Sequence, residues 1–370
     1  MTSEFGTSLK IKLSGESHGD WVSAEATGIP AGIKIDREAL AAFMKRRQGG
    51  NLPFTTKRKE DDIPEFESGV TNSVTNGETL RVRIYNRNVR SSDYGFSDTP
   101  RPSHADYTAQ VRYGKDIDLR GGGHFSARLT APLCAIGGVL KQYLSARGIF
   151  IGSHLYSVGN TRDIPFDPAE VTSFDFDKVL SGDFPVLSPE AGRSMKAELA
   201  AAAGDGDSLG GITEIAVTGL PAGLGDPLFY GVENRISAAV FGLGGVRGIE
   251  FGTGFAATRM RGSEHNDPFR IRNGRIVTET NNCGGVMGGI TDGMPLVFRV
   301  AFKPTASISK KQRTVSLSTL TDTEIEIKGR HDPCIAIRAL PCVESITAAV
   351  ICDMMISAYG ALPTDGMKKI

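Results

Sequence analysis

The chain contains 370 residues with a mass of 39.4 kDa. At ~150 residues per domain, this length suggests two units or one large domain with an internal duplication. Its 42 basic residues balance 42 acidic residues, and this neutrality excludes a general polyanion-binding surface. With 40% hydrophobic and 23% charged residues, the composition also excludes a disordered chain, a collagen-like repeat and a disulfide scaffold.

The sequence gives no signal for a membrane or an oxidising compartment. No run approaches the ~18 apolar residues of a membrane helix, and the N-terminus lacks the basic start and apolar stretch of a signal peptide. The five cysteines are an odd number at irregular spacing, without a Cys-x-x-Cys pair. We therefore expect a cytoplasmic protein with reduced cysteines, no metal, no membrane contact and no nucleic-acid partner.

An internal repeat is the most informative feature of the chain. Gly15-Glu-Ser-His-Gly19 begins a stretch that reaches Thr27-Gly-Ile-Pro-Ala-Gly-Ile33, and Gly206-Asp-Ser-Leu-Gly210 begins one that reaches Thr218-Gly-Leu-Pro-Ala-Gly-Leu224. The offset is 191 residues both from 15 to 206 and from 27 to 218, without a gap. We interpret the repeat as an ancient duplication. It predicts two structurally similar halves, whose repeat units start near residues 10 and 200.

Local patterns predict several elements in chain order. The first is a helix that is capped by Asp36 and carries Leu40, Phe43 and Met44 on one face, and it is followed by a strand over Leu80–Tyr85. A long apolar helix then runs from Ser126 to about Arg147. Two more helices follow, one that begins after the cap Ser188 and stops at Gly204 and one over about 231–243. Their hairpin-like spacing favours α+β layers. Because no linker rich in proline or serine divides the chain, we predict one large domain over residues 1–370 with two related halves.

The first repeat turn is a candidate site because it holds Ser17 and His18 between glycines, where side chains and backbone N–H groups can face one ligand. His18 can give a proton to a leaving oxyanion near neutral pH. The second copy keeps Ser208 but has Leu209 in place of the histidine, so the turn itself does not require His. That copy also matches a Gly-Asp-Ser-Leu esterase signature, which we regard as a decoy because no Asp-x-x-His follows near the C-terminus.

Three polar segments have both structural and functional interpretations. Lys45-Arg46-Arg47 suits the negative end of a helix dipole, and it is equally suited to hold a phosphate or a carboxylate. Arg90 lies in a polar loop that is either solvated or in contact with an anion. His104 and Asp106 stand two residues apart, which is more typical of a turn capped by Asp106 than of an acid–base pair.

Three further motifs combine glycine or proline with polar groups. In Arg120-Gly-Gly-Gly-His124-Phe-Ser126-Ala-Arg128, three glycines lead into a predicted helix N-terminus, so we predict an anion or cofactor site. It is not a Walker loop, because no Gly-Lys-Ser/Thr follows. Lys303-Pro-Thr-Ala-Ser307 offers a cation and two hydroxyls. Arg330-His331-Asp332 makes a weak metal site without a third ligand; the alternative is that Asp332 caps a helix that starts at Pro333.

Together these motifs resemble one family, chorismate synthase. The resemblance covers residues about 10–355, nearly the whole chain, with the motifs in family order. The matching pieces are Gly15-Glu-Ser-His-Gly19, Arg46-Arg47, Arg90-Ser-Ser-Asp-Tyr94, Arg101-Pro-Ser-His-Ala-Asp-Tyr107, Arg120-Gly-Gly-Gly-x-x-Ser-Ala-Arg128, Gly284-Gly-x-x-Gly-Gly289, Lys303-Pro-Thr-x-Ser-Ile308 and Gly329-Arg-His-Asp-Pro-Cys334.

The resemblance implies a reaction and a fold. The family converts 5-enolpyruvylshikimate 3-phosphate (EPSP) to chorismate by anti-1,4-elimination of phosphate, the last common step of the shikimate pathway to aromatic amino acids. It requires reduced FMN although the reaction has no net redox change. The implied fold is an α+β sandwich of two antiparallel sheets around a helical layer, built from two related halves and assembled as a homotetramer.

The resemblance also implies a role for individual residues. The phosphate and carboxylates of EPSP would be bound by Ser17, Arg46, Arg47, Arg90, Arg128 and Arg338. The catalytic groups would be His18 as proton donor to the leaving phosphate, His104 beside the reduced flavin and Asp332 as an aid to proton loss from the ring. The flavin contacts would be His124, Phe125, Ser126, Gly244, Gly245, Gly288, Lys303, Pro304, Thr305, Ala306, Ser307 and Arg330.

The sequence departs from the family pattern at a few positions. His124-Phe125 stands where many members have Arg-Ser, Leu129 where many have Glu, and Pro53 where many have Arg, while Gly244-Gly245 replaces an Asn-Ala pair. These departures motivate an alternative, a catalytically silent binding or assembly protein on the same fold. The absence of a Gly-x-Gly-x-x-Gly motif favours an external reductant over NADPH as the source of electrons for the flavin.

Overall fold

The computed structural model describes residues 2–50, 60–87, 96–327 and 331–360. In the first half the strands are β1 (Thr2–Gly6), β2 (Lys10–Gly15), β3 (Trp21–Thr27), β4 (Glu65–Ser68), β5 (Val70–Thr71), β6 (Val74–Thr75) and β7 (Leu80–Tyr85). In the second half they are β8 (Phe150–Val158), β9 (Thr161–Arg162), β10 (Gly211–Thr218), β11 (Val246–Phe251), β12 (Phe269–Arg272), β13 (Arg275–Thr278), β14 (Val286–Met287), β15 (Ile290–Thr291), β16 (Leu296–Phe302), β17 (Gln312–Ser316) and β18 (Thr321–Ile325).

The helices alternate with these strands. They are α1 (Arg37–Arg47), α2 (Asp106–Tyr113), α3 (Thr130–Ser145), α4 (Ser173–Ser181), α5 (Pro189–Gly204), α6 (Val232–Val240), α7 (Gly262–His265) and α8 (Ala336–Tyr359). Short 3-10 turns occupy Arg120–Phe125, Ala127–Leu129, Leu228–Tyr230 and Gly254–Arg259.

Four adjacent strands follow the same order in the two main sheets, β2-β3-β7-β4 in the first and β8-β10-β16-β11 in the second, while the outer strand precedes its neighbour along the chain in the first sheet and follows it in the second. The first is β1-β2-β3-β7-β4 and the second is β9-β8-β10-β16-β11, both antiparallel. The equivalence extends to single hydrogen bonds: Thr75 Oγ1 donates to the Pro30 carbonyl at 2.7 Å, and Thr291 Oγ1 donates to the Pro221 carbonyl at 2.6 Å. Pro30 and Pro221 are 191 residues apart, which is the offset of the sequence repeat.

The helical layer lies between the sheets. α3 packs on β3 and β7 of the first sheet, α8 packs on β8 and β10 of the second, and α3 and α8 pack against each other, with α1 and α6 beside them. One continuous hydrophobic cluster includes both sheets and these helices, so we propose that the two halves form one domain. The predicted α+β sandwich with an internal duplication is confirmed.

Most predicted helix and strand boundaries are close to the observed ones. The Asp36 carboxylate accepts the backbone N–H groups of Glu38 and Ala39, and Ser188 caps α5. The long helix starts at Thr130 rather than Ser126, because Ser126 caps a separate 3-10 turn first. The predicted helix start at Pro333 is wrong, since α8 begins at Ala336.

The second half carries an insertion between β8 and β10 that contains α4 and α5. It is fastened by buried His154, whose Nδ1 lies 3.0 Å from Asp163 Oδ2 and whose Nε2 lies 2.8 Å from Glu214 Oε2. Burial alone would lower the pKa of His154, but the hydrogen bonds to the two carboxylates raise it above its ordinary value. The hydrogen bonds of His154 to the two carboxylates therefore hold the insertion on the second sheet.

The sequence expectation that no apolar run reaches membrane length needs a correction. α8 is long and apolar enough to cross a membrane by length and composition. However, 89% of its most apolar window is buried inside the protein, and its neighbours are α3 and the second sheet. A helix that is apolar all round also suits the core of a large protein, which is where α8 lies.

Candidate active site

A cleft of about 430 Å³ opens where the segments that lead into α3 and α8 meet. The rest of its wall comes from the end of α1 and from loops. The lining residues come from segments 47–49, 60–62, 101–105, 121–128, 244–247, 303–307 and 331–338. The duplication therefore places the entry of one long helix from each half at the same cavity.

The glycine run positions the two histidines that the sequence singled out. Gly121, Gly122 and Gly123 have φ angles of 59°, 92° and 53°, in the left-handed region that favours glycine. A Cβ atom on Gly121 would overlap the ring of His18, and one on Gly122 would lie 3.6 Å from His104 Nε2. The absence of side chains here allows His18 and His104 to approach the same backbone segment from either side.

His104 belongs to a buried charged network. Its Nδ1 lies 2.7 Å from Asp106 Oδ1, and Asp106 also accepts from Arg101 Nε at 2.7 Å and Nη2 at 2.8 Å. Burial alone would raise the pKa of the Asp106 carboxyl, but the hydrogen bonds from Arg101 and His104 hold it well below its usual range. The ionised Asp106 orients His104 with Nδ1 as donor. The sequence interpretation of Asp106 as a mere turn cap was therefore incomplete.

Two predicted substrate arginines meet at one carboxylate. Arg47 Nη1 donates to Asp62 Oδ2 at 2.6 Å, and Arg128 Nη1 donates to Asp62 Oδ1. All three side chains are almost fully buried at the cleft wall. Sequence reasoning assigned no role to Asp62, because nothing local links it to residues 15 and 66 positions away.

Asn86 joins the first repeat turn to the arginines. Its amide donates to the carbonyls of Glu16 at 3.1 Å and Gly19 at 2.7 Å, and its Oδ1 accepts from Arg128 Nε at 2.7 Å. One side chain thus fixes both the Ser-His turn and a cation of the cleft. Sequence reasoning treated this residue only as part of a polar loop.

The opposite wall is built around Asp332. Its carboxylate accepts from Arg338 Nη1 at 2.7 Å, and its carbonyl accepts from Thr305 Oγ1 at 2.9 Å. The Thr305 carbonyl in turn accepts from Ser208 Oγ at 2.8 Å. Ser208 of the second repeat turn therefore supports the cleft wall, and the turn acts as a brace rather than an esterase nucleophile.

The wall formed by Gly244, Gly245 and Lys303–Ser307 is mostly backbone. The Lys303 N–H donates to the Gly245 carbonyl at 2.9 Å, which joins the two segments. Burial, with a smaller effect of the nearby Arg247 guanidinium, lowers the pKa of Lys303. Arg247 also lines the cleft, so a second cation stands beside Lys303.

Comparison with known proteins agrees with this geometry. The chorismate synthase family model matches residues 9–356. Curated chorismate synthases from Lancefieldella parvula (40% identity over 369 residues, 96% of this chain and 97% of that protein) and Thermococcus gammatolerans (43% over 353 residues, 95% and 97%) are similar along their full length. The chain belongs to the chorismate synthase family. A solved crystal structure of chorismate synthase matches with a TM-score of 0.77 at 28% identity, covering 96% of this chain and 94% of that one.

The family assignment confirms the function expected from the motifs. The activity is that of chorismate synthase, a lyase of the shikimate pathway that serves aromatic amino acid biosynthesis. The comparisons do not favour the alternative of a catalytically silent protein. Among the described residues, no group of three or more His, Cys, Asp or Glu side chains is placed to hold a metal ion.

Arg46 is one predicted chorismate synthase site residue that the structure does not bring into the cleft. Adjacent residues on a helix point ~100° apart, and Arg47 is the one that faces the cleft. Arg46 instead forms a bidentate pair with Glu344 of α8, with Nη2–Oε1 at 2.6 Å and Nη1–Oε2 at 3.1 Å. Lys141 and Ser153 also donate to this fully buried carboxylate.

Other predicted chorismate synthase contacts lie beside the cleft or away from it. Ser17 is buried behind Gly121, while Phe125 and Ser126 line the cavity. The His124 ring contacts the Gly15 carbonyl at 3.0 Å and does not line the cavity. Gly288 lies in the turn between β14 and β15, away from the cleft. Three predicted positions lie outside the described residues: Pro53, Arg90 and Arg330.

Proposed function

We propose that the cleft binds EPSP through Arg47, Arg128 and Arg338 and eliminates its phosphate to give chorismate. The observation that carries this assignment is the convergence of the three guanidiniums with His104 and Asp332 around one cavity. EPSP carries a phosphate and two carboxylates, and guanidinium groups match such planar or tetrahedral anions through paired hydrogen bonds. Ser17 and Arg90 complete the proposed substrate set.

We assign His18 to proton donation at the leaving phosphate. It does not line the cleft itself, but its buried ring packs against Gly121 of the lining, on the turn that Asn86 holds in place. His104 holds a proton at Nδ1 on Asp106, which leaves Nε2 facing the glycine run. Asp332, fixed by Arg338, assists removal of the ring proton. These roles place the proton donor and the proton acceptor in different halves of the chain.

The remaining wall fits a flavin. A Cβ atom added to Gly244 would meet no atom within 4 Å, so its backbone is open to the cleft, and His331 Nε2 is a buried atom at the lining with no hydrogen-bond partner among the described residues. Burial, with a smaller effect of Arg101, lowers the pKa of His331 and keeps its ring neutral. The Lys303–Ser307 segment would hold the cofactor with Phe125, Ser126, Gly244 and Gly245. Reduced FMN supplies electron density to the departing allylic phosphate.

The proposal extends to the oligomeric state, the cellular location and the reductant. We expect a cytoplasmic homotetramer that binds neither nucleic acid nor membrane and relies on an external reductant rather than on NADPH. Large apolar side chains that are mostly exposed in the single chain support self-association; they include Leu228, Phe229, Tyr230, Phe255, Phe269 and Ile271. Gly288 and His124 would contact the flavin only in an assembly that brings these two residues to a cleft.

The test is phosphate release and chorismate formation from EPSP under anaerobic conditions. Turnover with chemically reduced FMN and none with oxidised FMN supports the proposal. His18→Ala should lose most turnover while it still binds flavin, and His265→Ala, outside the cleft, should behave as wild type. Binding of EPSP and flavin without turnover would instead support the silent binding protein, and near-normal turnover of His18→Ala would refute the proton-donor role.

A further inference from the structure

The predicted substrate arginines already hold an anion of the protein itself. Arg47 and Arg128 both donate to Asp62, whose side chain is fully buried. Asp62 reaches them from the irregular segment that precedes β4, so its carboxylate is carried by neither a sheet nor a helix. An anionic group that bound both guanidiniums would have to share or take the position of this carboxylate.

Each arginine is also anchored independently of Asp62. Arg47 Nε donates to Thr130 Oγ1 at 2.8 Å and its Nη2 donates to the Ala127 carbonyl at 2.8 Å. Arg128 Nε donates to the amide oxygen of Asn86. These partners are neutral, so they aim the guanidiniums without neutralising them. Asp62 offsets one of the two positive charges of the pair, and it is therefore the partner that an incoming anion can replace.

The electrostatics agree with this division of roles. Burial lowers the pKa of Arg128, Asp62 raises it and the positive charge of Arg47 lowers it again, which shows that the two guanidiniums repel each other. Burial alone would raise the pKa of Asp62, but Arg47 and then Arg128 lower it below its ordinary value. Asp62 thus stays ionised at neutral pH and offsets the repulsion between the guanidiniums of Arg47 and Arg128.

We propose that Asp62 is an exchangeable internal counter-ion, which holds Arg47 and Arg128 together in the empty cleft and yields at least one of them to the phosphate group of the substrate. The proposal rests on the proposed substrate clamp. It makes Asp62 a positioning residue that sets phosphate affinity, because its carboxylate competes with the phosphate for the two guanidiniums. Removing the charge of Asp62 therefore strengthens phosphate binding, although it lowers the stability of the protein when no phosphate is bound.

The test is calorimetric titration with inorganic phosphate at constant ionic strength. Asp62→Asn should bind phosphate at least about tenfold more tightly than wild type, because a like charge within hydrogen-bond distance of the ligand is removed. Phosphate should also restore the thermal stability that this variant loses in phosphate-free buffer. Asp61→Asn, the same change at the exposed neighbour, and Asp62→Glu, which keeps the charge, should retain wild-type phosphate affinity.

Two outcomes would overturn the proposal. One is Asp62→Asn binding phosphate no more tightly than Asp61→Asn. The other applies even if Asp62→Asn does not fold: a crystal structure of the wild-type protein with bound phosphate in which Asp62 keeps its bonds to both Arg47 and Arg128. Neither measurement depends on turnover, so failure of the lyase assay would remain distinguishable from failure of the counter-ion proposal.

Discussion

The buried carboxylate of Glu344 gives the sharpest stability prediction. It accepts hydrogen bonds from both nitrogens of the Arg46 fork, from Lys141 and from Ser153, and so links α1, α3, α8 and β8. Burial alone would raise the pKa of Glu344, but Arg46 and Lys141 lower it from 4.5 to about 2. At 1.36 kcal/mol per pKa unit, that shift corresponds to about 3 kcal/mol of stability.

Glu344→Gln should therefore lower the free energy of unfolding at pH 7.5 by about 3–5 kcal/mol, the usual cost of removing one partner of a buried ion pair. For a chain of this length, about 3 kcal/mol corresponds to a fall of about 4 °C in melting temperature. The sign of the pH dependence follows from the lowered pKa. The contribution is fully present above the unfolded value of 4.5 and is lost as pH falls toward about 2, so the wild-type advantage should shrink in acid.

Urea unfolding measures this effect without the charge screening of guanidinium. The matched control is Glu25→Gln, which breaks an exposed pair with Arg81 at 3.1 Å whose side chains are 31% and 44% exposed. Surface pairs of this kind contribute about 0–1 kcal/mol. If Glu344→Gln lost no more stability than Glu25→Gln, or if its deficit were the same at pH 7.5 and pH 3.5, the electrostatic account of the network would be refuted.

Three further predictions concern other sites. Arg46→Met should leave the KM for EPSP within about twofold of wild type while it lowers the urea midpoint, and a tenfold rise in KM would return Arg46 to the substrate site. Gly121→Ala should reduce kcat because the new methyl group displaces His18, whereas Gly148→Ala, also at positive φ but facing open space, should only lower stability. His154 stabilises the fold fully below its unfolded pKa near 6.5, and this stability is lost as pH rises through its raised folded pKa. Urea titrations from pH 6 to 9 should show a decline in stability for the wild type and none for His154→Gln.

The parts of the fold that could be predicted are those that local chemistry determines. The caps at Asp36 and Ser188 depend on residues two or three positions away, and the positive φ angles of the glycine run need no distant partner. The duplication was visible because both copies kept the same turn in the same register. Its structural consequence, four strands in the same order in each sheet, follows from that repetition.

The contacts that could not be predicted join distant segments. Arg46 and Arg47 are equivalent in the sequence, and only the orientation of α1 in the helical layer decides which of them reaches the cleft. Asp62 and Asn86 were missed for the same reason, since their partners lie far along the chain. A carboxylate that pairs with two predicted binding cations cannot be recognised from the sequence alone, because only the fold brings the three groups together.

The duplication also explains how the two repeat turns come to serve different purposes. In the first half the repeat turn packs against a glycine run, and Gly121 leaves room for the His18 ring. In the second half the equivalent turn has Leu209, whose side chain packs against the core and whose N–H donates to the Pro333 carbonyl at 2.7 Å. One copy of the turn thus carries His18, the proposed acid, and the other supports the cleft wall to which Asp332 belongs.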